Sequence, residues 1–139
     1  MSRIINPESA GKERTQLSRA IILALRELMK QTQTDEHSKD LVAFIAVSLE
    51  HIYNTVEASV EAWEKRDYWL KADRFRMEWV WTRDIGDQMK KALFDDNWIE
   101  VARLSAKTGE KLIKVKVPVR HRIGTPWVGA WEELKKNPK

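Results

Sequence analysis

Apolar residues recur at spacings of three and four through the first two thirds of the chain, which is the period of helices with one buried face. Leu17, Ile21, Leu25 and Leu28, with Ile22 and Met29 alongside, form one stripe, and Lys12, Arg19, Arg26 and Lys30 gather on the other side. The spacing predicts a first helix ending at about Gln31. Asn6-Pro7-Glu8 reads as its start, since Asn can cap free amides, Pro is pre-set for the first helical position and Glu opposes the helix dipole. The polar run from Gln31 to Asp35 reads as a loop. A second helix is expected from about Asp35 to Lys65, with Leu41, Ile45, Leu49, Ile52, Val56, Val60 and Trp63 at core spacing. Its first half, Leu-Val-Ala-Phe-Ile-Ala-Val, is apolar nearly all round, so it should be surrounded by other helices or by a second subunit.

A third helix is expected from near Asp67 to near Phe94. Neither Gly nor Pro occurs between Lys12 and Ile85, so no such residue marks the break between helices two and three. A single bent helix is the alternative. A continuous run from Asp35 to Phe94 would be roughly 90 Å long, so compactness favours a turn near Arg66. Asn97 followed by Glu100 forms a capping-box pattern that opens a shorter fourth helix. Beyond Gly109 the period changes: Ile113-Lys-Val-Lys-Val-Pro118-Val119 alternates apolar with basic or Pro, as strands do, and the proline restricts it to an edge strand or an extended arm. Thr125-Pro126 then reads as the start of a short helix with Trp127, Trp131 and Leu134 on one side. The expected fold is all-α: an antiparallel bundle of three long helices and one or two short ones over residues 1–108. Residues 109–139 supply a basic extended arm and a short Trp-containing helix, packed on the same domain or on a partner.

If helices two and three form an antiparallel hairpin, facing residues should have numbers that add to a nearly constant value. Val60 with Ala72 and Tyr53 with Trp79 obey this as core pairs. The charges obey it too, which predicts two interhelical salt bridges, Glu57 to Arg76 and Glu50 to Arg83.

Composition sharpens this picture mainly by exclusion. The 139 residues are one domain's worth of chain, long enough to bury a sizeable core. The absence of cysteine removes disulfides, thiolate nucleophiles and Cys-ligated zinc, and fits a reducing, cytoplasmic compartment. No apolar run approaches the twenty or so residues that span a bilayer, so no membrane association is expected. Net charge is +4, but unevenly placed: Met1 to Ala102 holds fifteen Lys and Arg against eighteen Asp and Glu, whereas Arg103 to Lys139 holds ten against three. A tail with a net charge of +7 points to a polyanion or an acidic protein surface.

Within that tail Lys107, Lys111, Lys114, Lys116, Arg120 and Arg122 are the candidate contacts to single-stranded nucleic acid. The competing explanation is an edge strand guarded by lysines against aggregation. Seven Trp is many for this length, and the stretch from Trp69 to Arg83 interleaves aromatics with Arg as base-stacking surfaces do. Tyr68, Ala72, Phe75, Trp79, Met89 and Leu93 nevertheless share one helical face, which favours a core role for most of these rings. A second stripe on the same helix, Leu70, Met77, Trp81 and Ile85, calls for a cover. Trp127 and Trp131 could supply it within the chain, or a second copy could, giving a homo-oligomer or a subunit of a larger complex.

The catalytic signals are sparse. No Gly-rich phosphate loop, nucleophile elbow or His-Glu-x-x-His occurs, and none of the three histidines has Glu three residues before it, as di-iron bundles require. Glu61-x-x-Glu64 followed by Asp84-x-x-Asp87 resembles the paired acidic motifs of MazG-type all-α nucleotide pyrophosphohydrolases, which implies a Mg²⁺ held by those four carboxylates. The chain lacks that family's adjacent Glu pair and has Asp84 where the family uses Glu, and the hairpin register puts Glu61 opposite Ala72. In size, helicity and charge the chain is also similar to the helical small subunits of CRISPR effector complexes, a likeness carried by no motif. The expected role is a non-enzymatic assembly or interaction protein without a cofactor, contacting nucleic acid through its basic arm.

Overall fold

The computed structural model describes residues 8 to 138. Five helices pack against one another: α1 (Ala10–Met29), α2 (Glu36–Glu64), α3 (Trp69–Phe94), α4 (Trp98–Lys111) and α5 (Ala130–Lys136). No strand occurs among the described residues. The proposed Asn6-Pro7 helix start lies outside them.

The centre of the fold is α2, on which α1, α3 and α5 all pack. Its all-round apolar first half is enclosed accordingly: Leu41, Val42, Ala43, Ile45, Ala46, Leu49 and Ile52 are fully buried. The main core continues into Ile21, Ala24 and Leu25 of α1, Ile85, Met89 and Leu93 of α3, Val101 and Leu104 of α4, and the C-terminal Trp127, Trp131 and Leu134. A second, smaller cluster of Val56, Val60 and Ala72 lies towards the α2–α3 turn, roofed by the half-buried rings of Trp63, Phe75 and Trp79.

Contacts between α2 and α3 run in opposite directions along the two helices, from Trp63 against Phe75 near the turn to Glu50 with Lys90 further down. The expected Glu57–Arg76 bridge forms, with Arg76 Nε donating to Glu57 Oε1 at 3.1 Å. The expected Glu50–Arg83 bridge does not. Glu50 is held by the Lys90 ammonium instead, and Arg83 pairs with its neighbour Asp84 at 3.2 Å while lying over the Tyr53 ring. A helix drifts by about 20° per seven residues relative to a straight seam, so a register that is right at one charge pair moves off at the next. Gly86 adds to the shift: a Cβ there would sit 3.2 Å from the Ala46 carbonyl oxygen and 3.4 Å from the Leu49 Cβ, so α3 approaches α2 more closely at this level than a larger residue would allow.

The stop between α2 and α3 is made without glycine. Asp67 adopts a left-handed backbone (φ 63°), and the amides of Tyr68 and Asp67 donate to the carbonyls of Trp63 and Glu64 at 2.9 and 3.0 Å. This is the Schellman pattern, which satisfies the last free carbonyls of a helix. The end of α3 repeats it around Asp96 (φ 54°), with Asn97 donating to Ala92 at 2.8 Å and Asp96 to Leu93 at 3.1 Å. Asp tolerates the left-handed region better than most residues, because its short carboxylate can bond locally. Two separate helices therefore replace the bent-helix alternative.

Caps open the next helices. The Asp35 side chain accepts from the Ser38 amide at 3.0 Å, which holds its carboxyl below the ordinary aspartate range. Asn97 accepts from the Glu100 amide at 3.2 Å, whereas the Glu100 carboxylate turns to Arg103, so only half of the expected capping box forms. The last helix starts later than Thr125-Pro126 implies. Residues 126–129 form a turn, Gly129 takes a left-handed backbone (φ 82°), and α5 is capped from far away in sequence by Asp40, whose carboxylate accepts from the amides of Gly129 (3.2 Å) and Trp131 (2.9 Å).

Candidate nucleic-acid interface

Lys107 and Lys111 lie one turn apart on the exposed side of α4, while Lys114, Lys116, Arg120 and Arg122 belong to residues 112–129, which connect α4 to α5 without regular secondary structure. The predicted edge strand over 113–119 is absent. Only the middle of its alternation is expressed as burial: Val115 and Val117 are half-buried, with Val115 packed on the main core, and Lys114 and Lys116 are exposed, whereas Ile113 and Val119 at its ends are exposed too. Period-two patterning records an extended backbone with one face down. Here that face rests on helices, so no neighbouring strand is needed.

The connection is fastened at both ends by apolar residues, Leu112 and Trp127, and is tied to α1 at Lys116. Arg19 Nε donates to the Lys116 carbonyl at 3.2 Å. Further on, an open cleft of about 580 Å³ separates the connection from α1, with Glu13, Gln16 and Arg19 on one wall and Pro118, Arg120 and Arg122 on the other. Arg19 thus joins the basic set. Sequence reasoning left it on the solvent face of the first helix, and only the 97-residue separation closed by its hydrogen bond brings it here.

Among the described residues the side chains of Lys107, Lys111, Lys114, Lys116, Arg120 and Arg122 are exposed and make no ion pair or hydrogen bond. Several cations on the bundle are instead matched by carboxylates. Arg76 gathers Glu57 and, at 3.9 Å, Glu64; Lys65 holds Glu61 at 3.5 Å; and Lys91 holds Asp95 at 2.7 Å. Burial pushes the Glu57 carboxyl up, but hydrogen bonds from Arg76 and Tyr53 and the charge of Arg83 outweigh it and hold the group below the ordinary glutamate range. That hydrogen bond to Glu57 likewise raises Arg76.

The four carboxylates of the acidic motifs are not brought together. Glu61 and Glu64 are engaged by Lys65 and Arg76, and Asp84 by Arg83. With Glu57 facing Arg76, Glu61 lies four residues towards the turn and Asp84 eight residues away from it, a separation of about 18 Å along the hairpin. Among the described residues no three His, Cys, Asp or Glu side chains gather as metal ligands.

The second stripe of α3 divides along its length. Ile85 is buried in the main core and Trp81 packs on it, stacked with Trp79 at 6.2 Å, whereas Leu70 and Met77 are 64% and 78% exposed. Trp127 and Trp131 are buried within the chain, but they cover α2 and the end of α3: Trp127 meets Phe44 edge-on at 6.3 Å and Trp131 meets Phe94 at 5.2 Å. No described helix is long and apolar enough to cross a membrane. The chain matches no protein-family model, no curated protein and no solved structure.

Proposed function

We propose that this protein is a non-enzymatic helical binding protein, a subunit of a larger assembly, that holds single-stranded nucleic acid along the basic connection between α4 and α5. The observation that carries the reading is the clustering of exposed cations along one short stretch of chain. Six exposed cations cluster between residues 107 and 122 with no intramolecular partner among the described residues, while Arg76, Lys90 and Lys91 of the bundle are each matched by a carboxylate. A row of unpaired cations on an extended backbone fits a phosphate chain, whose contacts are independent of sequence and release counterions.

The test is retention of a fluorescent single-stranded oligonucleotide by the full chain across a salt series. If all six cations engage phosphates, log K falls against log salt with a slope of about −4. Changing Lys114, Lys116, Arg120 and Arg122 together to Glu should abolish retention while the helical circular dichroism stays unchanged. Absence of retention by the unaltered protein at about 50 mM salt overturns the reading.

A further inference from the structure

The α2–α3 turn builds a second concave surface, and its chemistry differs from that of the connection. The Asp67 stop fixes the backbone so that Tyr68 and Trp69 stand at the tip of the hairpin, 53% and 56% exposed. Beneath them Trp63 and Phe75 meet edge-to-face at 5.0 Å and 78°. These four rings wall an open cleft of about 790 Å³. Lys71 closes one side with its ammonium 4.4 Å from the centre of the Trp63 ring. Two rings are therefore held by packing and two present free faces, and adjacent exposed aromatics at a turn mark a surface made for contact.

The charges narrow the ligand. Asp67 and Glu78 in the cleft wall balance Lys71 and Arg74, so the cleft is close to neutral and a ligand is gripped by rings more than by ions. A methylated ammonium is disfavoured, because Lys71 already occupies the Trp63 face. A flat, π-rich group fits: it stacks on Trp69 or Tyr68 in a way that tolerates any base. The cleft also neighbours the basic connection. Arg14 lies over Phe75 at 4.8 Å, and the next residue back, Glu13, lines the cleft shared with Arg120 and Arg122 from a helix face about 100° away, so α1 lies between the two surfaces.

The geometry points to the aromatic tip as a base-stacking subsite for the same single strand whose phosphates lie along the connection, an inference that rests on the nucleic-acid reading of that connection. Charge and stacking are then divided between two places. Affinity at the connection is salt-sensitive, and affinity at the tip is not.

The experiment uses the full ¹⁵N-labelled chain with two probes, the uncharged nucleoside adenosine at millimolar concentration and a single-stranded oligonucleotide over a salt series. Adenosine should shift the Tyr68, Trp69 and Phe75 resonances and leave residues 113–122 unmoved. Trp69→Ala should remove that response and weaken the oligonucleotide by about tenfold without changing the salt slope, and Trp69→Phe should restore most of both. The four-Glu variant of the connection should flatten the salt slope and keep the adenosine response. If adenosine shifts nothing and Trp69→Ala binds the oligonucleotide as tightly as the unaltered chain, the subsite is overturned while the reading of the connection stands. An adenosine response without salt-sensitive oligonucleotide binding overturns the reading of the connection instead. Dissociation of a dimer by Trp69→Ala, with no adenosine response, assigns the tip to a second copy and ends the proposal.

Discussion

The two halves of α2 are built from the same helical period and end in opposite environments. Between Leu41 and Ile52 the helix is wrapped by α1, α3 and α5, and seven aliphatic residues are fully buried. Between Val56 and Trp63 only Val56 and Val60 reach that state, beneath a roof of half-buried rings that opens onto exposed Tyr68 and Trp69. Where several helices converge, small aliphatic side chains fill the space. Where fewer do, large rings stand in for missing neighbours, since each covers about 150–250 Å². Enclosed aliphatic packing is concentrated at one end of the hairpin, and the exposed rings lie at the other.

The comparison breaks if both ends respond alike to truncation. Leu49→Ala should cost about 2–5 kcal/mol in urea unfolding, because a fully enclosed site cannot collapse around the void. Val60→Ala, which removes two carbons, should cost only about 1.6 kcal/mol. Amides near residues 65–70 should exchange by local opening, and those near Ile45 only with global unfolding. Gly86→Val tests the close crossing in the enclosed half. The added atoms meet the Ala46 carbonyl, so a loss of about 1–3 kcal/mol is expected, and an unchanged midpoint would show that α3 can move aside.

Asp40→Ala removes both acceptors for the α5 amides and should cost about 1–3 kcal/mol, with the increase in hydrogen exchange centred on Gly129 and Trp131. The smallest effect belongs to the open flank. A double-mutant cycle on Glu57 and Arg76 should give less than about 1 kcal/mol, because both side chains are more than one third exposed and the pair is screened. Since the folded Glu57 carboxyl is held below its ordinary value, its contribution is present above the ordinary carboxylate range and disappears as the pH falls through the lowered one. Glu57→Gln should therefore match the unaltered protein in strong acid and fall slightly below it near neutrality.

Sequence reasoning reached the parts of this fold that depend on near neighbours. The α2 residues at spacings of three and four from Leu41 to Val60 are all buried, Asn97 caps as its position implies, and Glu57 meets Arg76. What escaped it depends on distance or on a weaker chemical signal. The helix ends near Lys65 and Phe94 were expected, but the left-handed backbone at Asp67 and Asp96 that makes them was hidden, because Asp, unlike Gly, is not a strong marker of that conformation. The Lys90–Glu50 pair required the true helix crossing. The capping of α5 by Asp40 and the fastening of Lys116 by Arg19 join residues about ninety positions apart, beyond the reach of any local pattern. Of the candidate surfaces, the basic residues were legible one by one. The aromatic cleft was not, because its walls come from both sides of a turn.

The long-range cap on α5 also bears on how the chain is made. The apolar surface around Phe44 is completed by Trp127, Trp131 and Leu134, which are joined to α2 through a carboxylate 89 and 91 residues earlier. A ribosome adds about 5–20 residues per second, so the most apolar stretch of the nascent chain waits several seconds for its last cover. Throughout that interval it presents a sticky face to chaperones and to other nascent chains.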